Sequence, residues 1–383
     1  MTRTKHTLIA LLLGLTISGS AQEKWNAMID KVMNWPVIGI VLPTYSEETN
    51  WTFNGGLQSC FNMPDEQTPS AIRLTGYYSL NKQWQVHATG TLYMAGKTPW
   101  MLYFGARYRH YPTHYFLQDS LTNGIHNYPY TSRGLDFTLE PMFRLPNNWA
   151  VGPMVDFVWE KNNLRDTCHT YQGPPQTLEW GFGLATMFDT RDYSHYPTKG
   201  MMFKAIGVWY EPTLGADYRA WHLEAEYRHY ITLWQPAEYR SEFDRVNKSL
   251  IFAYQVKGIA VLSNQSVTDM PIQIMPSIGG DDLVRGVRSD LFKNNNLVWA
   301  VQAELRFPIF SILRGTAFVG VGDVYNTDHL RWTDPKVGYG LGLRLSVNRE
   351  HVNVRFDVAR NSLDNNWASR DSYSFILAIS EAF

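Results

Sequence analysis

His110 and His114 stand four residues apart, with His126 twelve further on. On a helix, a spacing of four puts two imidazoles on one face, where they can share a zinc ion. The segment "HYPTH" carries a proline between them and reads as loop, so these histidines are expected to be solvated and no metal is expected. Cys60 and Cys168 are far apart in sequence and neither has metal-ligand spacing. Two cysteines also exclude a disulfide-built fold. There is no Gly-x-Ser-x-Gly nucleophile motif, and the other histidines are scattered. The expectation is therefore no catalytic residue, no cofactor and no enzyme. The remaining cluster is "IGGDDLVRGVRSDLF", residues 278–292, with three glycines, three acids and two arginines. Its arginines are forks that could pair with carboxylates, and its glycines permit tight turns.

The rest of the chain must place those forks. It has 383 residues, 18% charged and 14% aromatic, with a formal net charge of -1. The charge balance gives no reason to expect a nucleic-acid partner. "MTRTKHTLIALLLGLTISGSAQ" has a basic start, an apolar centre and a small-residue end. It reads as a secretory signal peptide, residues 1–21, cut after Ala21. Residues 22–36 are expected to form a short periplasmic segment, with Trp25, Met28, Ile29, Val32 and Met33 on one helical face.

Residues 37–383 read as one β domain. In "LVWAVQAELRF", Leu297, Trp299, Val301, Ala303, Leu305 and Phe307 alternate with Val298, Ala300, Gln302, Glu304 and Arg306. "GYGLGLRLSV" and "HVNVRFDVA" alternate in the same way, placing Arg344, Arg355 and Asp357 on the polar face. The strands are about ten residues long, as a tilted membrane crossing requires. Aromatics gather near strand ends, as in "WYEP" and "FVWEK". Apolar residues outside and polar residues inside are the pattern of a transmembrane antiparallel β-barrel. About sixteen strands are expected between 37–45 and 372–383, among them 99–110 and 133–145. Long and short connections alternate, which places both termini in the periplasm. Cys60 and Cys168 then lie at opposite rims. The last strand, "YSFILAISEAF", carries Phe375, Leu377, Ile379 and the terminal Phe383, with Glu381 interrupting its apolar face. This reads as a C-terminal assembly signal.

Several motifs together resemble the BamA/TamA outer-membrane barrel superfamily, the bacterial surface antigen family. "VRGV" after "GGDD" is similar to its loop motif, here Gly279, Gly280, Val284, Arg285, Gly286 and Val287. "DTRDYSHYPTKG" looks like its turn between the eighth and ninth strands, here Asp189, Arg191, Asp192, Pro197 and Gly200. "AELRFPI", "FVGVGDVY" and "IVLPTYSEETNWTFNGG" look like its twelfth and thirteenth strands and its opening hairpin. The resemblance implies that the long 262–296 loop folds into the lumen and that Arg285 meets acids on the inner wall. Glu304 matches the twelfth-strand acid, and the alternation independently turns it inward. The thirteenth-strand acid falls on Gly320 here, with Asp323, Asp357 or Glu224 as candidates to replace it.

The resemblance further implies a Gram-negative outer-membrane barrel that assists insertion, translocation or organisation of envelope proteins with partner chains. The partners implied are outer-membrane lipid and envelope proteins. Residues 22–36 leave no room for the POTRA units usual in the family, so a short member lacking them is expected. The first and last strands are expected to pair weakly. The alternative is a gated or passive pore for small solutes, which a lumenal loop disfavours.

Overall fold

The computed structural model describes residues 37–383, apart from 47, 67, 95–98, 119–124, 281–282, 290, 330–333, 348–350, 364–372 and 380. The expected signal peptide and the 22–36 segment lie outside the described residues, as do Asp281, Asp282 and Asp290.

Sixteen strands follow one another around a nearly closed antiparallel barrel. They are β1 (Val37–Ser46), β2 (Asn50–Phe61), β3 (Ser70–Ser79), β4 (Trp84–Tyr93), β5 (Trp100–Gln118), β6 (Ile125–Arg144), β7 (Trp149–Asn162) and β8 (Gln176–Asp189). Then come β9 (Gly200–Tyr210), β10 (Ala220–Trp234), β11 (Leu250–Ser263), β12 (Leu297–Phe310), β13 (Leu313–Tyr325), β14 (Lys336–Ser346), β15 (Asn353–Asn361) and β16 (Ser374–Ile379). Two short helices, α1 (Leu164–Thr167) and α2 (Glu242–Lys248), sit in connections. Each strand is hydrogen-bonded to its sequence neighbours. β16 lies beside β1, but among the described residues no ladder joins them.

The two faces separate as the alternation requires. Val41, Leu184 and Leu341 are 73%, 66% and 65% exposed on the outer face, an exposure that only lipid makes favourable. Gln302, Glu304, Arg306, Arg344, Arg355 and Asp357 are buried on the inner face.

The β5–β6 hairpin differs from the expectation. "HYPTH" is strand, not loop: His110 and His114 lie on β5 and His126 on β6, with Leu117 opposite His126. The reason lies in how Pro112 is placed. Its carbonyl accepts from Gln83 Nε2 at 2.8 Å, so its nitrogen also points away from β6. The β4 ladder ends at the Trp84–His110 pair, so the missing N–H removes no ladder bond. Among the described residues no cluster of three or more His, Cys, Asp or Glu could hold a metal ion.

The last strand also differs. β16 ends at Ile379, and Phe383 turns away to pack with Tyr230, Ala253 and Ala382. Ile379 is buried against Val352, and its Cδ1 lies 2.6 Å from where a Cβ on Gly56 would stand. Phe375, Leu377 and Ile379 stand opposite Val358, Phe356 and Val354 and share their face as the alternation requires, while Phe383 departs from it. Glu381 is not an exposed interruption but a buried, paired carboxylate.

Candidate functional site

The connection between β11 and β12, residues 264–296, carries its own apolar core. Ile278, Leu283, Val284, Val287, Leu291 and Phe292 pack with Val298 and Ala300 of β12 and Val324 of β13. The turn is tight: Val284 N–H donates to Ile278 O (3.0 Å), Val287 N–H to Val284 O (3.2 Å) and Gly280 N–H to Val287 O (3.1 Å). Gly279 bridges to Val284. Gly286 has φ of 98°, and a Cβ there would stand 2.7 Å from Arg360 O. Its carbonyl accepts from Asn361 Nδ2 at 2.7 Å. On the wall, a Cβ at Gly338 would collide with the carbonyl of Arg285. Glycine at these two positions lets the loop backbone lie directly on β14 and β15.

This seating aims Arg285 at a group of acids. Its Nη2 is 2.5 Å from Glu304 Oε1 and its Nη1 is 3.0 Å from Asp357 Oδ2. Its Nε donates to Gln302 Oε1 at 3.3 Å, and the guanidinium lies 3.7 Å over the Phe318 ring. Arg285, Glu304 and Asp357 side chains are fully withdrawn from solvent. Of the three candidate acids, Asp357 is therefore the one that Arg285 meets beside Glu304. Asp323 pairs instead with Lys336 (3.0 Å), and Glu224 with Lys257 (2.8 Å). The space beside Gly320 belongs to Gln302, whose Cγ is 3.2 Å from where a Cβ would be.

The network extends beyond the loop motif. Arg306 Nε donates to Glu304 Oε2 at 2.8 Å, and its Nη2 donates to Phe383 O at 3.0 Å. Arg344 reaches Asp357 Oδ1 at 2.5 Å and Glu381 Oε2 at 2.7 Å, and Asn353 Nδ2 donates to Glu381 Oε1 at 2.6 Å. Arg355 is 3.8 Å from Asp357. Buried charges in such numbers persist only when each is paired and hydrogen-bonded.

The "DTRDYSHYPTKG" turn is built just as closely. Arg191 forks onto Asp189 at 2.9 and 2.6 Å. Asp192 accepts from Thr198 N at 2.9 Å, Pro197 is buried, and Gly200 starts β9 with φ of 97°. Tyr196 of this turn is buried 3.5 Å beneath Arg314 and 5.2 Å from Arg306. Arg306 thus touches the β12 acid that Arg285 meets, the turn's tyrosine and Phe383. Three motifs far apart in sequence meet around one guanidinium.

Sequence reasoning did not find Tyr196, Phe318 or the pairing of Glu381. The inward alternation of Arg344 and Arg355 was a signal that further carboxylates had to lie opposite. Phe375 stacks on Phe356 at 6.3 Å and Leu377 pairs with Phe356 across the sheet.

A different region of the inner wall is open. A cavity of about 800 Å³ is lined by Arg73, His87, Tyr103, Arg107, Lys204 and Arg228, among others.

A family model described as the Omp85 superfamily domain matches residues 68–383. Among solved structures, BamA from Haemophilus ducreyi lacking POTRA domains 1–3 matches with a TM-score of 0.55 at 16% identity, over 95% of this chain and 79% of that one. CdiB from Escherichia coli matches with 0.56 at 15%, over 91% and 63%. CdiB from Acinetobacter baumannii matches with 0.51 at 13%, over 90% and 58%. This chain spans less than two thirds of either CdiB chain, and at these identities the likeness is one of fold. No curated protein matches by sequence.

Proposed function

Since the chain belongs to the Omp85 superfamily of outer-membrane barrels, we propose that it assists insertion, translocation or organisation of envelope proteins together with partner chains. The observation that carries this reading is the seam. Each neighbouring pair from β1–β2 to β15–β16 shares a ladder, while β1 and β16 lie side by side without one among the described residues. In lipid, backbone groups gain strongly from pairing, so a seam without a ladder is where an incoming strand finds hydrogen bonds. Pro43 on β1 suits a wall that parts there.

In this reading the 264–296 connection occupies the lumen, and the Arg285–Glu304–Asp357 group holds it there. The role is that of an insertion or transport barrel, not an enzyme. A gated pore is the second reading, favoured by the cavity of about 800 Å³.

The test is photo-crosslinking in cells from Val41 on β1, with Leu184 on β8 as the control; both are exposed on the outer face. Envelope proteins should be captured at Val41 and not at Leu184. Equal capture at both positions, or none together with a steady ion current from the purified protein, would replace this reading with the pore.

A further inference from the structure

At the rim that carries the 264–296 connection, three neighbouring strands align their side chains in rows. His110 of β5 stands opposite Arg133 of β6, and Arg133 stands opposite Lys161 of β7. Two residues further into the wall, the same register lines up Tyr108, Leu135 and Trp159. Tyr108 and Leu135 are exposed on the outer face, so the period of two turns His110, Arg133 and Lys161 to that face as well. Arg133 and Lys161 are themselves exposed. A cation on the lipid face is costly at the midplane and nearly free near the interface, which fits a row one residue from the end of β7. Like charges directly opposite each other on a sheet repel, so Arg133 beside Lys161 is unfavourable unless an anion joins them. The wall supplies none. Asp136 and Glu160 alternate to the inner face, where they pair with Arg107 and Arg109. In α1, just beyond Lys161, the exposed Arg165 and Asp166 cancel each other in charge. Among the described residues neither Arg133 nor Lys161 is paired with a carboxylate. His110 Nδ1 accepts from Arg133 Nε at 3.0 Å, which orients the guanidinium and leaves its two Nη groups for another acceptor.

We propose that Arg133 and Lys161 bind the phosphate of an outer-leaflet lipid, with an acyl chain of that lipid lying over Tyr108, Leu135 and Trp159. The site is separate from the Arg285–Glu304 group and does not depend on the insertion reading. It needs only a barrel in the outer membrane with its long connections outside. A phosphate carries the charge that relieves the opposed cations, and its oxygens accept from the Nη groups and from the lysine ammonium. The lysine stem can lie along the apolar wall while its head meets the phosphate. The row beneath decides which phosphate fits. A free anion would meet the cations and gain nothing from Tyr108, Leu135 and Trp159. A lipid phosphate held at the rim carries its chain directly onto them, where the aromatic side chains suit the boundary between headgroup and hydrocarbon.

The experiment uses the full chain in a non-ionic detergent without divalent cations, titrated with bis-phosphorylated lipid A and read by native mass spectrometry. Saturable binding is expected. Arg133→Gln together with Lys161→Gln should weaken it by about tenfold or more, as the loss of charged hydrogen bonds predicts. Arg219→Gln is the control: Arg219 lies at the same rim, 62% exposed, but is already paired with Glu211, so its loss should leave binding unchanged. Folding of each variant is checked by heat-dependent gel mobility. Unchanged affinity in the folded double variant overturns the proposal, and so does an equal loss in Arg219→Gln, which would mean attraction to net charge alone. Dephosphorylated lipid A should bind at least about tenfold more weakly to the wild type. Equal binding of the two lipids overturns the proposal without any variant, and so decides even if the double variant fails to fold. Displacement of the lipid by an equal concentration of inorganic phosphate or of a polyglutamate peptide would assign the cations to a soluble anion and overturn the lipid site.

Discussion

One side of the inner wall is dry and the other is wet. On β12–β15, beneath the 264–296 connection, Arg285, Glu304, Asp357 and Arg344 expose no side-chain surface at all. On β5–β9, Arg107 and Asp136 pair at 2.5 Å with 38% and 18% of their side chains exposed, and Lys204 pairs with Glu140 at 2.7 Å with the lysine 27% exposed. The distances are alike, so proximity does not separate the two sets. Access to water does. Ion pairs that water reaches are worth about 0–1 kcal/mol, whereas removing one partner of a dry pair strands a charge at about 3–5 kcal/mol. The covered wall is thus a lock, and the open wall is a lining.

The largest effect should follow Glu304→Ala. Arg285 and Arg306 would lose their contacts at 2.5 and 2.8 Å, and Arg344 its contact at 3.8 Å. A loss of about 3–5 kcal/mol is expected, read as a lower unfolding temperature in detergent with the 264–296 connection open to protease. Arg285→Ala should do somewhat less, because Glu304 keeps Arg306 at 2.8 Å and Asp357 keeps Arg344 at 2.5 Å, although the connection loses its own ion pairs to both. Wild-type stability and protease pattern in both variants would show that the lock holds nothing. Next in size is Gly338→Ala, whose methyl would strike the Arg285 carbonyl. Overpacking of this kind costs about 1–3 kcal/mol. A neutral result would mean the loop does not sit on β14 as closely as the geometry says.

The lock and the lining can also be told apart by current. A sixteen-strand barrel is wide enough for an aqueous channel when nothing fills it. With the connection in place, single-channel conductance is expected to be small and erratic, and deleting the 279–287 tip should raise and steady it. A large steady current from the intact chain would contradict the lock.

Much of this was legible in the sequence, for a physical reason. Period-two alternation needs no knowledge of neighbours, so Gln302, Glu304, Arg306, Arg344 and Arg355 were turned inward from their own strands alone. The choice among Asp323, Asp357 and Glu224 was not legible, because it depends on register across several strands. Glu304 pairs with Phe318, Phe318 with Gly340 and Gly340 with Ala359, which leaves Asp357 two residues along β15 and within reach of Arg285. Pro112 hid the length of the β5–β6 hairpin, since a proline reads as a breaker unless one knows that its nitrogen faces no strand. Phe383 was hidden because a terminal aromatic suits an outward face as readily as the inward contact with Arg306 that it makes.

A smaller effect is expected at the rim, where the β8–β9 and β10–β11 connections meet the β14–β15 turn. His351 stands between Tyr193 (4.5 Å, edge-on) and Phe243 (5.4 Å, stacked), and Tyr193 Oη donates to Glu242 Oε1 at 2.7 Å. Burial, then Arg314, holds the His351 imidazole down at about 3. Its folded value lies below the ordinary 6.5, so the unfolded chain binds more protons between the two. The stability it lends is fully present above about 6.5 and is lost as pH falls toward 3. The hydrogen bond from Arg245 holds Glu242 at about 2, so its contribution is present above about 4.5 and is lost only below that. Acid should therefore loosen the rim in two stages. His351→Phe should abolish the upper one, as followed by Tyr193 fluorescence or protease cleavage near α2. A single stage below pH 4.5 in the wild type would remove His351 from the account.

The smallest effect should be at Arg107→Ala, and that is what makes it informative. Arg107 is as close to its acid as Arg285 is to Glu304, and its Nε also donates to Asp136 Oδ2 at 2.6 Å. If distance set the energy, its loss would rival that of Arg285. But Asp136 keeps contact with water and has Arg109 at 4.0 Å as a second cation, so its charge is not stranded. Stability should stay within about 1 kcal/mol of wild type. Because Arg107 lines the cavity, its removal should instead alter whatever weak anion preference the residual current shows. A destabilisation of 3 kcal/mol or more would mean that the open wall is as dry as the covered one, and the two sides of the barrel would then differ in geometry but not in kind.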